Sequence, residues 1–331
     1  MLQLINRTGL AASVFATSDV RGAETLLTVV KGTFDLRRLD GHGTPALAAE
    51  QVPVATADEH HGDPESSSIR IPCDVSLGKT GTDVLLAGTA HAPLGRPVPW
   101  MDVELAAGPV RKAVRVFGDR AWDAGAAAAT PPRPFERMPL VWERAYGGSD
   151  GEHTEARNPV GRGFVAPGTG APPDGFPLPN LEDPFHPLAS WSQAPPPAAF
   201  APVAPHWLPR RAWAGTYDEA WRDGRAPYLP DDFDPRFFQL APEGLVAPGF
   251  LAGGEPVEVR GATPGGALRF VLPALAPRVS YRLDGGTEAP PARLETVLVE
   301  PDAGRVVLVW CAALACDGRL LRVREITVRA G

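Results

Sequence analysis

The sequence predicts a mainly β protein, in which packed antiparallel sheets, arranged as in a sandwich, carry a long ordered irregular segment and little helix. Two observations predict the sheets: strand-length segments rich in β-branched and large apolar residues, and glycine- or proline-rich turns between them. A third observation disfavours a helical fold, because no long stretch repeats its apolar residues at the helical period.

The N-terminal part, residues 1–120, contains four strand-length segments. Residues 25–36 combine β-branched and large apolar residues and precede a turn signal at Asp40–Gly43, which predicts a β-hairpin or a meander. In the last two of the other three segments, apolar and polar residues alternate as in a half-buried strand. The three segments are residues 82–88, 101–105 and 111–118.

The C-terminal part, residues 251–331, repeats this composition in five segments. They are residues 256–260, 267–272, 293–300, 305–310 and 319–328. Pro301–Gly304 lies between two of them and combines proline, aspartate and glycine, which are typical residues of a tight turn. An antiparallel hairpin is therefore predicted around this turn.

The middle part, residues 121–250, is predicted to be ordered but irregular. Residues 131–248 alone hold more than half of the 38 prolines and most of the Phe, Trp and Tyr residues. Rings supply burial that offsets the entropy cost of ordering a chain, whereas proline restricts φ and removes a backbone donor. Long ordered loops tend to carry function, so this part is the predicted binding surface.

Two local structures are predicted within the middle part. A short helix is expected near residues 217–222, with Thr216 as its N-cap and Glu219 as the acid of a capping box. Residues 121–130 are expected to form a surface loop, with or without a helical turn. The N-terminal, middle and C-terminal parts are expected to form one unit over residues 1–331.

Composition and charge disfavour several classes of function. The net charge of −7 is spread over the chain, so no basic surface for nucleic acid is expected. No stretch reaches the roughly 18 apolar residues of a membrane span, and the N-terminus lacks the features of a signal peptide. The three cysteines match no metal or redox spacing and are typical of reduced, buried thiols. A cytoplasmic protein with neither membrane nor nucleic-acid partners is expected.

Several short segments contain residue types found in metal or hydrolase sites, but each is better explained as a loop. His60 and His61 lie between carboxylates, yet adjacent side chains of an extended segment point to opposite faces, which disfavours a shared ion. Ser66–Ser68 lacks the glycine elbow of a nucleophilic serine. Asp231–Asp234 is expected to pair with nearby arginines or to cap backbone amides. No metal or cofactor is predicted.

Seven sequence blocks carry a resemblance to a known family. In chain order they are Lys31–Phe34, Gly62–Ser67, Val116–Trp122, Asn158–Gly163, Leu178–Pro184, Gly215–Trp221 and Leu229–Arg236. The ordered set resembles an uncharacterised bacterial family catalogued as domain of unknown function 2169. Members of that family accompany type VI secretion genes and are implicated as adaptors or chaperones. The role implied for them is to load a toxic effector onto the spike protein VgrG or onto its PAAR-repeat tip, and no catalytic residues carry over from them.

Three hypotheses follow for the distinctive residues. In the first, which the resemblance implies, the protein is a non-enzymatic cytoplasmic adaptor whose partners are a secreted effector together with VgrG, a PAAR-repeat protein or both. Its aromatic anchors are expected among Trp207, Trp213, Tyr217 and Trp221. Its polar binding residues are expected among Asp63, Glu65, Arg120, Arg157, Asn158, Asn180, Asp183 and Asp218. In the second hypothesis these eight polar residues line the pocket of an enzyme of unknown reaction. In the third they satisfy the backbone of the irregular part.

Overall fold

The computed structural model describes residues 2–331 and is mainly β, which confirms the predicted fold class. Its strands are β1 (Gln3–Asn6), β2 (Ala11–Ser18), β3 (Glu24–Leu39), β4 (Pro45–Leu47), β5 (Glu59–His60), β6 (Ile69–Ile71), β7 (Asp83–Leu86), β8 (Thr89–His91), β9 (Trp100–Ala107), β10 (Val110–Phe117), β11 (Trp122–Asp123), β12 (Ala128–Ala129), β13 (Arg137–Pro139), β14 (Tyr146–Gly147), β15 (Arg162–Gly163), β16 (Leu181–Glu182), β17 (Pro256–Arg260), β18 (Ala267–Val271), β19 (Arg278–Leu283), β20 (Gly286–Glu288), β21 (Arg293–Glu300), β22 (Arg305–Ala315) and β23 (Val323–Arg329). The single α-helix of the described residues, α1, spans Glu219–Gly224. Short 3-10 turns occur at Pro93–Gly95, Trp142–Arg144, Arg210–Trp213, Pro235–Phe238 and Leu320–Arg322.

The largest sheet has six strands, with β3 and β22 near its centre. Its order is β2–β3–β22–β21–β7, and β4 pairs with the outer part of β3. Neighbouring strands are antiparallel except β7, which runs parallel to β21. Residues Thr25–Phe34 of β3 are buried in an unbroken run, so both faces of this strand are covered. Lys31 within the run is neutralised by Asp74 at 2.7 Å.

Two further sheets complete the scaffold. Five antiparallel strands follow the order β16–β10–β9–β17–β18. Four strands follow the order β1–β23–β19–β20, and β1 runs parallel to β23. Strands from the two ends of the chain share sheets, since β3 pairs with β22 and β9 pairs with β17.

One continuous hydrophobic core joins the sheets to the irregular middle part. It contains Val29 of β3, Leu105 of β9 and Tyr281 of β19, together with Phe200 and Trp207 of the middle part. Each of these side chains is almost completely buried. Burial of large rings fixes a segment that lacks regular hydrogen-bonded structure, so the middle part is ordered without being regular, as predicted.

Strand predictions from composition are confirmed. β17 and β21 begin and end at the predicted residues, while β22 runs five residues beyond the predicted end. Pro301–Gly304 connects β21 to β22, and Glu300 pairs directly with Arg305 across the hairpin. The predicted strand over residues 319–328 begins only at Val323, because Leu320–Arg322 forms a 3-10 turn.

One local prediction in the middle part requires correction. The predicted helix exists as α1, but its N-cap is Asp218, whose Oδ1 accepts the Trp221 N–H at 2.9 Å. Thr216 is not the cap, because its backbone N–H and its hydroxyl both donate to Asp232, at 2.9 and 2.7 Å. Residues 121–130 were predicted to be a surface loop, and residues 124–129 are exposed, with a turn between the two-residue strands β11 and β12.

Residues 2–331 contain neither a membrane-crossing helix nor a cluster of metal-ligating side chains. No helix in this range has the length and apolar composition that crossing a bilayer requires. No three His, Cys, Asp or Glu side chains in the same range converge as a metal ion would need.

The carboxylates of Asp231 and Asp234 pair with Arg225 and Arg236, as expected from sequence, at 3.2 and 2.5 Å.

Candidate functional site

A groove of about 540 Å³ is formed almost entirely by the irregular middle part. Its walls include Pro196, Pro197, Pro209, Pro242 and Trp213, and we refer to it as the proline groove. Rigid apolar walls of this kind suit an extended ligand, since proline surfaces lose little entropy when they are covered.

Two 3-10 turns hold one wall of the proline groove. The turn Arg210–Trp213 contacts the turn that follows Asp234, because the Asp234 N–H donates to the Trp213 carbonyl at 3.0 Å. Asp234 also caps its own turn by accepting the Arg236 N–H at 2.9 Å. The Arg236 guanidinium then lies over the Trp213 ring at 5.0 Å from its centroid. Trp213 is therefore held by its backbone and by its ring face while remaining half-exposed.

The floor of the groove is fixed by a buried hydrogen-bond network around Asp83. The Asp83 carboxylate accepts from Lys79 Nζ at 2.7 Å, the Leu240 N–H at 2.8 Å, Gln239 Nε2 at 2.9 Å and the Ala241 N–H at 3.1 Å. Asp83 itself is completely buried. The network attaches the groove-lining residues Gln239 and Ala241 to the first residue of β7.

Two of the three arginines that line the groove are neutralised within the protein. Arg157 donates Nε and Nη2 to the Glu155 carboxylate at 2.7 and 2.6 Å, and these hydrogen bonds raise the pKa of Arg157. Arg236 pairs in the same way with Asp234, which raises the pKa of Arg236. These two side chains contribute shape and stacking to the groove, and their charges are balanced.

Arg210 is the exception among the three arginines. Its side chain is 6% exposed, and its Nε and Nη1 donate to the backbone carbonyls of Phe237 and Val203 at 2.8 and 2.6 Å. No carboxylate among residues 2–331 lies within ion-pair distance of it, and burial lowers the pKa of Arg210. The groove therefore combines apolar walls with one guanidinium that has no counter-ion, an arrangement suited to a segment that carries a carboxylate.

The predicted aromatic anchors lie in three different environments. Trp213 lines the groove. Trp207 does not, because it is 1% exposed and packs edge-on against Trp142 at 5.9 Å in the core. Tyr217 packs edge-on against Trp221 of α1, with 4.8 Å between the ring centroids, and Tyr217 is 51% exposed. The prediction that Trp207 is an accessible anchor is thus wrong, because its indole is buried in the hydrophobic core.

Asn158, one of the eight polar residues predicted from sequence, is a buried structural residue. Its Nδ2 donates to the carbonyls of Trp142 and Tyr146, both at 2.9 Å. Gly161 approaches so closely that an added Cβ would lie 2.4 Å from Asn158 Nδ2. Asn158 therefore provides hydrogen bonds to carbonyls of the irregular backbone, and Gly161 allows that backbone to pack closely, as the third hypothesis proposes.

Asn180 has the same kind of role in a neighbouring loop. Its Nδ2 donates to the Phe117 carbonyl at 3.2 Å and to Asp119 at 3.1 Å, while its Oδ1 accepts from Arg144 Nη1 at 3.2 Å. It is completely buried. One amide therefore joins the end of β10 to the residues preceding β16.

Arg120 forms a buried ion pair with Glu182 and lies over the Phe117 ring at 3.8 Å. Burial lowers the pKa of Arg120 and raises the pKa of Glu182, because desolvation penalises both charged forms. The carboxylate also accepts the Leu188 N–H at 3.2 Å. This pair stabilises the loop that carries β16 and leaves no free charge for a ligand.

Three of the polar residues organise exposed turns. Asp63 accepts the Glu65 N–H at 2.9 Å, Asp183 accepts the Phe185 N–H at 2.8 Å, and Asp218 caps α1. The Glu65 side chain is exposed. Of the eight polar residues, Arg157 alone lines the proline groove.

Sequence reasoning missed the residues that give the groove its chemistry. Arg210, Gln239 and the prolines at positions 196 and 197 were not singled out. The run Pro195–Pro197 was a usable signal, because consecutive prolines form a stiff extended wall. Arg210 had no local signal, since its burial depends on Val203 and Phe237.

Comparison with known families agrees with the resemblance. The family described as "Uncharacterized protein conserved in bacteria (DUF2169)" matches residues 21–311. No curated protein and no solved structure matches the chain. Because the match spans most of its length, the chain belongs to the DUF2169 family of uncharacterised bacterial proteins.

Proposed function

We propose that this protein is a non-enzymatic cytoplasmic adaptor or chaperone that binds a type VI secretion effector and helps to load it onto the VgrG spike or its PAAR-repeat tip. The proline groove is the observation that carries this proposal. It is a preformed, mainly apolar site whose walls come from a rigid, proline-rich segment. Such a site can hold a protein segment without a large entropy cost on binding.

Placement of the polar residues also supports a binding role. Arg120, Asn158 and Asn180 are committed to buried internal contacts. Asp63, Asp183 and Asp218 organise turns. These internal contacts hold their own loops in one conformation, and a recognition surface requires a rigid scaffold of this kind.

The experiment that tests the proposal is affinity capture from the native bacterium, followed by mass spectrometry and a binding titration with the purified partner. Trp213→Ala and Pro196→Glu alter the groove. Trp100→Ala is the matched control, because Trp100 is also an accessible tryptophan under an arginine, with Arg115 at 4.7 Å from its ring, on the five-stranded sheet.

Wild-type protein and Trp100→Ala are expected to recover an effector or a spike component at fixed stoichiometry. The two groove variants are expected to recover at least about tenfold less, since anchor residues dominate binding energy. Capture of no secretion component, or equal capture by all four proteins, contradicts the proposal.

A further inference from the structure

A second cleft, separate from the proline groove, lies on the face of the six-stranded sheet. Its volume is about 320 Å³. Thr25 of β3 and the small residues Ala313 and Ala315 of β22 line its sheet side. Segments Ser76–Lys79 and Pro290–Pro291 form the opposite wall. The cleft is at the small end of ligand-sized pockets, which span about 300–1,000 Å³.

A β-bulge turns Glu295 into this cleft. Along β21, Leu294 pairs with Trp310 and Thr296 pairs with Val309, so Glu295 is an extra residue without a partner. In a regular strand, consecutive side chains point to opposite faces. Here Glu295 and Thr296 both reach the segment Ser76–Lys79, because Ser76 Oγ donates to Glu295 Oε2 at 2.5 Å and Lys79 Nζ donates to Thr296 Oγ1 at 2.8 Å. Bulges commonly re-aim a side chain beside a functional site.

Glu295 is a buried carboxylate without a counter-ion. It is 5% exposed, and no Lys, Arg or His among residues 2–331 lies within ion-pair distance of it. Lys79 also lines the cleft, but its ammonium is paired with Asp83 at 2.7 Å and their charges cancel. A buried carboxylate is costly unless an opposite charge or several donors compensate it.

Arg293 is the other cation at the cleft, and it lies at the exposed mouth. Its guanidinium is over the Phe250 ring at 4.9 Å and forms no ion pair among the described residues. Because the Arg293 guanidinium is exposed to water, its charge is screened and has little effect on Glu295 inside the cleft. Arg293 also disfavours a ligand with positive charges at both ends, since the second positive charge would lie beside the Arg293 guanidinium.

The geometry points to a binding site for a compact primary ammonium group on a short aliphatic stem. The Glu295 carboxylate and the lone pairs of the Ser76 hydroxyl accept the ammonium protons, while Ala313, Ala315 and Pro290 contact the stem. A divalent metal ion is a poorer fit, because no three His, Cys, Asp or Glu side chains converge among residues 2–331. The ammonium group belongs either to a free alkylamine or to a lysine side chain of a bound protein. This site does not depend on the adaptor function or on the proline groove.

Saturation-transfer NMR with n-butylammonium chloride at pH 7 tests the site on the full chain. Saturable transfer to the butyl protons is expected, with n-butanol binding at least about tenfold more weakly because it lacks the charge-assisted hydrogen bond. Glu295→Gln keeps the shape and removes the charge, so it is expected to weaken n-butylammonium binding by a similar factor. Nα-acetyl-lysine methylamide is the second probe. Tighter binding of this probe than of n-butylammonium assigns the site to a protein lysine, and weaker binding assigns it to a free amine.

Ala313→Leu provides a second variant that leaves Glu295 in place. Ala313 is exposed in the cleft, so the larger side chain fills the space for the stem without crowding the core. It is expected to abolish n-butylammonium transfer while circular dichroism shows a folded protein. If Glu295→Gln does not fold, Ala313→Leu decides the test. Absence of transfer with wild type, equal binding of n-butanol, or unchanged binding by both variants overturns the inference.

Discussion

Asp83→Asn is expected to destabilise the protein more than a typical single substitution. The wild-type carboxylate accepts four hydrogen bonds at full burial, two on each oxygen. In the variant one oxygen becomes an amide nitrogen, which cannot accept. Either orientation of the amide therefore leaves two buried donors unpaired, and Lys79 becomes a buried cation without a counter-ion.

The magnitude follows from the broken ion pair. Removal of one partner from a buried pair costs about 3–5 kcal/mol, a large part of the roughly 5–15 kcal/mol that stabilises a typical domain. At roughly 2 °C for each kcal/mol in a chain of this size, the melting temperature is expected to fall by about 6–10 °C. Circular dichroism during urea and thermal unfolding measures both quantities.

A double variant separates the cost of the unpaired Lys79 charge from the cost of the lost hydrogen bonds. Lys79→Met combined with Asp83→Asn removes the unpaired cation, so the pair of changes is expected to recover at least about 1 kcal/mol relative to Asp83→Asn alone. Asp284→Asn is the matched surface control, because Asp284 pairs with Arg324 in an exposed ion pair and is expected to leave the melting temperature nearly unchanged. An Asp83→Asn protein within about 1 kcal/mol of wild type refutes the reasoning.

Three further outcomes are expected. Hydrogen bonds from Thr216 lower the pKa of Asp232, so its stabilisation is present above the unfolded pKa of about 3.9 and is lost as pH falls through the lower folded pKa. Asp232→Ala should therefore lower the melting temperature at pH 7, and the difference from wild type should narrow below about pH 4; a constant difference contradicts this. Gly161→Ala should cost at least about 2 kcal/mol in urea unfolding, because the added Cβ displaces Asn158, and a neutral effect contradicts the role of that block. Iodoacetamide should modify Cys73 in the folded protein before Cys316, which is completely buried; mass spectrometry showing early modification of Cys316 contradicts this.

The strands were predictable because their signals are local. β17 and β21 are bounded by turns and composed of residues with high strand propensity, so a window of a few residues contains the information. β2 lacked this signal, because its sequence is dominated by alanine, serine and threonine. Its structure comes from pairing with β3 over eight residues, Ala11 with Lys31 through Ser18 with Glu24.

The helix cap shows how tertiary contacts override a local motif. Thr216 and Glu219 fit the sequence pattern of a capping box, but Thr216 is bound by Asp232, sixteen residues later in the chain. Asp218 then takes the cap position. The local pattern predicts that a helix begins here, and the partner supplied by the fold decides which residue caps it.

The proline groove was predictable as a region and not as a set of residues. Composition placed a binding surface in residues 131–248, and all but one of the groove-lining residues lie in that range. Thr80 is the exception, and its N–H is held by Gln239 at 2.8 Å, across 159 positions of sequence. Such contacts leave no periodic trace in the chain, because they depend on how loops pack over β7.

Order in an irregular segment has a direct consequence for binding. Each proline in the groove walls lacks a backbone donor, so the backbone of this segment forms few hydrogen bonds of its own. Hydrogen bonds from buried side chains replace these backbone hydrogen bonds. Asn158 and Arg210 each donate to two backbone carbonyls, and Asp83 accepts from two backbone N–H groups. Because these contacts are made before any ligand arrives, the groove does not have to be ordered during binding. If the groove binds a partner as proposed, the free energy of a contact with Trp213 or Arg210 is available for affinity, and variants that loosen Asp83 should weaken that binding as well as stability.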